Sequence, residues 1–184
     1  MYVTRSPHSF VETVLIDEIL DLNPGVTREA LLTGIPGVNQ STAAAEINGL
    51  EWEGDEIINW NLRKLGLAQL PESFGSLRIY GDLVLHENAF ESIPESFCGI
   101  YVGGTLDFRK CRLSTLPDNF GDIRVRGAIL MNDNNLVSLP ESIGALEVSR
   151  RLDFSRNMLK SIPESAGSIT AGAMLLHNLS LIHI

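Results

Sequence analysis

Cysteine is scarce, with two residues in 184, which excludes a small scaffold held together by disulfides. Long apolar runs are missing too, and no stretch reaches the roughly 18 residues of a membrane-spanning helix. Positive charge is in deficit. Fourteen lysines and arginines stand against 23 acids, for a net charge of −9. Such a chain is a poor default binder of nucleic acid or of an anionic membrane. The four histidines, His8, His86, His177 and His183, are scattered, and Cys98 and Cys111 have no histidine between them. Neither arrangement has the spacing of a zinc site, and Gly103-Gly104 lacks the lysine of a phosphate loop. No metal, cofactor or catalytic constellation is expected, and so no enzyme. The first residues carry only Arg5, and the following apolar stretch is broken by Glu12, Asp17, Glu18 and Asp21. That is unlike a secretory signal, and a cytoplasmic location is expected.

Apolar residues, at 44%, and charged residues, at 20%, suit a folded chain with a core. Its order comes from a repeat. Leu70-Pro71 recurs as Ile93-Pro94, Leu116-Pro117, Leu139-Pro140 and Ile162-Pro163, always 23 residues apart. The second half of each unit alternates apolar residues and then places an Asn. Examples are Leu83, Leu85, Asn88 and Phe90, or Leu152, Phe154, Asn157 and Leu159. The alternation predicts a short strand with one buried face. The Asn follows where the chain turns inward and its backbone groups need partners. An amide both donates and accepts, so a column of Asn88, Cys111, Asn134 and Asn157 can satisfy them, Cys111 less well. Leu65 cannot, which predicts distortion in the first copy.

The L-x-L-x-x-N/C-x-L pattern resembles the leucine-rich repeat family over about Ile58 to Asn178. The resemblance implies an α/β solenoid of five to six repeats. A parallel sheet would line its concave face, with short turns or 3-10 segments on the convex face. One departure stands out. The apolar residue before each strand sits one place early, at Ile79, Val102, Val125 and Val148, with Gly81, Gly104 and Gly127 shortly after. This predicts a rearranged loop entering each strand.

Residues 1–57 do not repeat and read as a helical N-terminal capping segment. Ser9 to Leu20 has capping-box and helical spacing. Shorter helices fit Thr27 to Thr33 and Ser41 to Asn48. A DNA-reading helix pair is disfavoured, because Ala43-Ala44-Ala45-Glu46 offers bases nothing. At the other end the repeat loses register unless one residue is deleted, which puts Met174 and Leu176 in the strand positions. Residues 179–184 translate CTG TCT CTT ATA CAC ATC, the end of a transposon-based sequencing adaptor, and are expected to be readthrough.

The family resemblance implies a partner-binding concave face lined by the variable strand residues. Adding 23 gives three columns. The middle one holds Asn61, Val84, Asp107, Leu130 and Asp153. The next holds Arg63, His86, Arg109, Asn132 and Ser155, and the outermost Lys64, Glu87, Lys110, Asp133 and Arg156. Val84 and Leu130 are expected to be exposed, with Arg109 and Lys110 central. The expected function is an intracellular protein-interaction module that binds a protein or peptide, with no nucleic acid, membrane or cofactor. The alternative is the substrate-recognition front of a longer kinase or ubiquitin ligase. Resequencing the source DNA across the Asn178 codon by an independent chemistry tests the readthrough. The frame is expected to continue with codons other than those for Leu179 to Ile184.

Overall fold

The 23-residue spacing becomes the step from one hydrogen-bonded rung to the next. The computed structural model describes residues 11–33, 50–53 and 56–177. Its strands are β1 (Leu50–Glu53), β2 (Glu56–Asn61), β3 (Arg78–Ile79), β4 (Leu83–Val84) and β5 (Tyr101–Val102). They continue as β6 (Leu106–Asp107), β7 (Arg124–Val125), β8 (Ile129–Leu130), β9 (Glu147–Asp153) and β10 (Thr170–Leu175). Strands β2, β4, β6, β8, β9 and β10 pair in that order, all parallel. Leu83 lies opposite Leu106, and Ile129 opposite Leu152, so each rung is one repeat further on. This is the leucine-rich-repeat solenoid, with six rungs among the described residues. The pairing skips a residue between Ala171 and Ala173, which sets Met174 against Leu152. That is the one-residue deletion read from the sequence.

The prolines explain the opposite side. Pro71, Pro94, Pro140 and Pro163 each precede a 3-10 turn, at Glu72–Ser76, Glu95–Gly99, Glu141–Ala145 and Glu164–Ser168. A proline there loses no hydrogen bond, because a first-turn N–H has no helical partner. Its carbonyl is used instead, accepting from the N–H of Phe74, Phe97, Ile143 and Ala166 at 3.0–3.1 Å. Pro117 O accepts from Phe120 N in the same way at 3.0 Å. Between the two sides lies the core. Trp60, Phe74 and Phe97 stack along it with ring centroids 5.5 and 5.9 Å apart. Phe97 then meets Phe108 edge-on at 5.5 Å, a favoured aromatic geometry.

The rearranged loop is a second strand. Strands β3, β5 and β7 pair with one another in parallel, and β3 also pairs with Ile57 of β2. Ile79, Val102 and Val125 are its buried residues, which is why the apolar position is shifted. The two strands of a repeat are separated at Gly81, Gly104 and Gly127, where neighbouring rungs approach closely. A Cβ on Gly127 would stand 2.4 Å from the Gly104 carbonyl oxygen. Where that column carries Ile58 or Arg150 the strand runs unbroken, as β2 and β9.

The asparagine column satisfies the inward turn. Asn134 Oδ1 accepts from the N–H of Cys111 and Leu113 at 3.0 and 2.9 Å, and its Nδ2 donates to Phe108 O and Met131 O at 2.8 and 3.0 Å. Asn88 and Asn157 repeat the pattern. Cys111 donates its thiol to Leu85 O at 3.2 Å, and burial pushes its pKa up to about 12. Immediately before the column the backbone is left-handed at Lys64, Glu87, Lys110, Asp133 and Arg156, with φ between 53° and 60°.

At the first rung the expected distortion is absent, since Lys64 keeps the left-handed φ of 57° and Asn88 serves Leu67 N and Leu62 O. Asn23, from outside the repeats, ties down the chain after this turn. Its Oδ1 accepts from Ala68 N and Gln69 N at 2.7 and 3.1 Å, and its Nδ2 donates to Ile19 O and Gln69 O at 2.8 and 3.0 Å. Asn23 ends α1 (Ile16–Leu22), which continues a wider turn at Val11–Leu15. Helix α2 (Arg28–Thr33) is pinned by Trp60, whose Nε1 donates to Leu31 O at 2.9 Å. Leu15, Ile16, Ile19 and Leu31 are buried in the same cluster as the first rung. The segment expected to be helical up to residue 57 also contains β1, antiparallel to β2, and the start of β2 itself. Pairing with the open edge of β2 explains the difference, since an unpaired edge leaves backbone groups unsatisfied. The helix expected from Ser41 to Asn48, Ser9 of the capping box and residues 179–184 lie outside the described residues.

Asn134→Ala strands four buried backbone groups and is expected to cost at least about 3 kcal/mol in urea unfolding. Asn135→Ala, at the exposed neighbour, is expected to stay within about 0.5 kcal/mol.

Candidate functional site

The outward side chains of the main ladder form the candidate site, and each of its residues has a neighbour one rung away. In the middle column, Asn61, Asp107 and Asp153 close the strand ends with a side-chain turn. Their Oδ1 atoms accept from the backbone N–H two residues on, in Arg63, Arg109 and Ser155, at 3.2, 3.1 and 2.9 Å. Short polar side chains favour such turns. Val84 and Leu130 occupy the same column and cannot make them.

Burial corrects part of the expected surface. Val84 is 1% exposed rather than open to solvent, and Leu130 is half-buried. His86, Asp107, Asn132, Asp153 and Ser155 are buried as well. The reason is lateral crowding. Rungs in a parallel sheet lie about 4.8 Å apart, and long side chains fold across short ones. Arg109 lies back over Asp107, the direct rung partner of Val84, with Nε and Nη2 donating to the two carboxylate oxygens at 2.9 and 2.6 Å. This bond holds the guanidinium protonated more firmly than usual. Arg151 pairs with Asp153 from the other direction. Burial works against the Asp153 charge, but Ser155, through its hydroxyl at 2.6 Å and its N–H, together with Arg151, outweighs it. The carboxyl therefore sits below its usual range.

The outer column alternates in sign from rung to rung: Lys64, Glu87, Lys110, Asp133, Arg156. Lys64 pairs with Glu87 at 2.9 Å, and Arg156 with Asp133 at 2.7 Å. Burial opposes the Glu87 charge, but the Lys64 bond overrides it and lowers its pKa. His86 Nδ1 approaches Glu87 at 3.3 Å, and Asn132 donates to Asp133 at 2.6 Å. Lys110, exposed at the centre, makes no ion pair among the described residues. The fourteen expected residues thus form one strip, but what stays open to solvent on it is Lys110, the edges of the two ion pairs and the half-buried Arg63, Arg109 and Leu130. Arg151 belongs to the same strip and was not among them. It stands two residues before Asp153, as Arg109 stands two after Asp107, and same-side spacing on a strand could have revealed it.

Among the described residues no group of three or more His, Cys, Asp or Glu could hold a metal. None of their helices is long and apolar enough to cross a membrane. Both cysteines are free and buried, and burial raises Cys98 to about 11.

No family model matches the chain, and no curated protein matches it. Solved structures do. A leucine-rich repeat protein of Leptospira interrogans is 24% identical over 67% of this chain and 32% of its own length, with a TM-score of 0.53. YopM from Yersinia enterocolitica is 21% identical over 68% of this chain and 25% of its own, at 0.47. Toll, from a Drosophila Toll–Spatzle complex, is 22% identical over 65% and 20%, at 0.38. The chain therefore spans about a third of the length of the first of these and less of the others. The first likeness carries the fold.

His86 supplies a test of the strip's packing. Burial, the largest effect, lowers its pKa below 6.5 and outweighs Asp107 and Glu87, which act the other way. The unfolded chain then binds more protons below that value, so the stability present above pH about 6.5 is lost as pH falls towards the folded-state pKa. In urea titrations from pH 7.5 to 5, His86→Gln is expected to flatten the decline relative to wild type.

Proposed function

We propose that this leucine-rich repeat chain is a non-enzymatic interaction module that binds a protein or peptide through the strand face of its main ladder. The observation that supports this reading is Lys110. A lone exposed cation sits at the centre of a strip whose other charges are paired, beside the half-buried Leu130 and the oriented guanidinium of Arg109. The partner presents an acidic side chain to Lys110 and an apolar one to Leu130. A small apolar and Arg-bearing centre within a polar rim is the composition of protein interfaces. The paired charges around it cost little to leave in place and reject a partner whose signs are out of register. The face suits a soluble, cytoplasmic partner better than an anionic membrane, which the net charge of −9 would repel.

The test compares proteins captured from extract by the wild-type chain, by Lys110→Glu and by Glu141→Lys on the 3-10 side. Partners are expected to be lost with Lys110→Glu and kept with Glu141→Lys. Identical profiles for all three would count against the strand face.

A further inference from the structure

The second ladder carries its own surface, independent of the strip just described. Its outward residues are Arg78 on β3, Tyr101 on β5 and Arg124 on β7, one rung apart. Tyr80 and Arg126 follow two residues on, past the buried Ile79 and Val125. Tyr101 is the hub. The Arg78 guanidinium lies 5.1 Å from its ring centroid, that of Arg126 5.9 Å, and Tyr80 meets it edge-on at 6.0 Å. Tyr80 is 43% exposed, one of four large apolar side chains that stand out on the described surface.

The charge of this surface is opposite to that of the chain. Arg78, Arg124, Arg126 and the nearby Arg150 are all exposed, and none makes an ion pair among the described residues. Elsewhere Arg109, Arg151 and Arg156 all have carboxylate partners. In a chain with nine more acids than bases, Arg78, Arg124 and Arg126 leave three guanidiniums without an ion-pair partner around one tyrosine. The acids nearby form no ion pair with these guanidiniums, although Glu56 and Glu147 stand one rung outside Arg78 and Arg124 in the same column. The Asp82 carboxylate is turned into the backbone, accepting from Thr105 N at 2.6 Å. Asp122 and Glu147 line a shallow groove together with Tyr101, Arg124 and Arg126.

We infer that this face docks a short acidic peptide segment of a protein partner, its carboxylates on Arg78, Arg124 and Arg126 and an apolar side chain against Tyr80 and Tyr101. A guanidinium fork binds a carboxylate with two parallel hydrogen bonds. The Tyr101 ring holds Arg78 and Arg126 in place beforehand, which lowers the entropy lost on binding. Asp122 and Glu147 decide between a peptide and a nucleic acid. A peptide can set a neutral or basic residue opposite them, whereas an uninterrupted phosphate backbone meets both as like charges.

The test is fluorescence anisotropy with the whole chain and a labelled glutamate-rich decapeptide containing one Phe. The same peptide with Gln for every Glu and a single-stranded DNA of equal charge serve as comparisons. The acidic peptide is expected to bind, to weaken with added salt, and to lose at least about tenfold in affinity with Arg124→Ser/Arg126→Ser. Arg78→Ser, on a different strand, gives a second reading should the double variant fail to fold. Lys160→Ser, which removes an exposed cation outside both strips, is expected to leave binding unchanged. Equal binding of the Gln peptide, tighter binding of the DNA, no binding at millimolar peptide, or indifference to both arginine changes would each overturn the inference.

Discussion

The structure depends on one hydrogen-bonding obligation. After each strand the chain turns into the interior, and its N–H and C=O groups leave water before any sheet partner is available. A single amide meets this need, because Asn134 accepts from two N–H groups and donates to two carbonyls across adjacent rungs. The amide can reach both rungs only if the same turn recurs at the same height, and so the repeat length is held at 23 residues. The left-handed residue just before it is part of the same turn. Lys64, Glu87, Lys110, Asp133 and Arg156 all take φ between +53° and +60°, a conformation that costs a non-glycine residue about 1 kcal/mol or more. The buried hydrogen bonds offset that strain. A surface column of charges is thereby fixed in direction by a buried column of amides.

The glycines set the second constraint. They let neighbouring rungs come close at the junction between the two strands of a repeat, so one repeat presents two separate outward strips. Where Ile58 or Arg150 stands instead, a single strand joins both ladders, as it also does in β10 despite Gly172. The longer strands β2 and β9 therefore tie the two strips together and hold their spacing.

Much of this was legible in the sequence, for a reason that also explains what was not. Anything set by the 23-residue period could be read by addition: the core residues, the proline-led turns, the amide column with Cys111 in it, and the one-residue deletion before Met174. Features set by contacts outside that period could not. Asn23 lies in the non-repeating segment, and only its position against Ala68 and Gln69 identifies it as the amide that ties that segment to the first rung. Two-residue strands such as Arg78–Ile79 are too short to show alternation, so the second ladder looked like a loop. The burial of Val84, and the folding of Arg109 back over Asp107 on the next rung, are contacts between rungs that no strand-by-strand reading contains.

The two strips differ in how they handle charge, and the difference follows from their spacing. On the main ladder, opposite signs occupy successive rungs, so Lys64 meets Glu87 and Asp133 meets Arg156 across a single step. Ion pairs at that range form within the chain and leave a short-range, patterned surface with one open cation. Although Glu56 and Glu147 stand one step outside them in the same column, Arg78 and Arg124 of the second ladder form no ion pair among the described residues. Their charges stay uncompensated and act on anything approaching from solvent, out to the screening length of about 8 Å at physiological salt. A patterned, self-neutralised strip discriminates among partners that already touch it. An unpaired cationic strip attracts acidic segments before contact. Because β2 and β9 join the strips rigidly, a partner with an acidic tail beside a folded surface could engage both, the tail raising the effective concentration of the surface at Lys110.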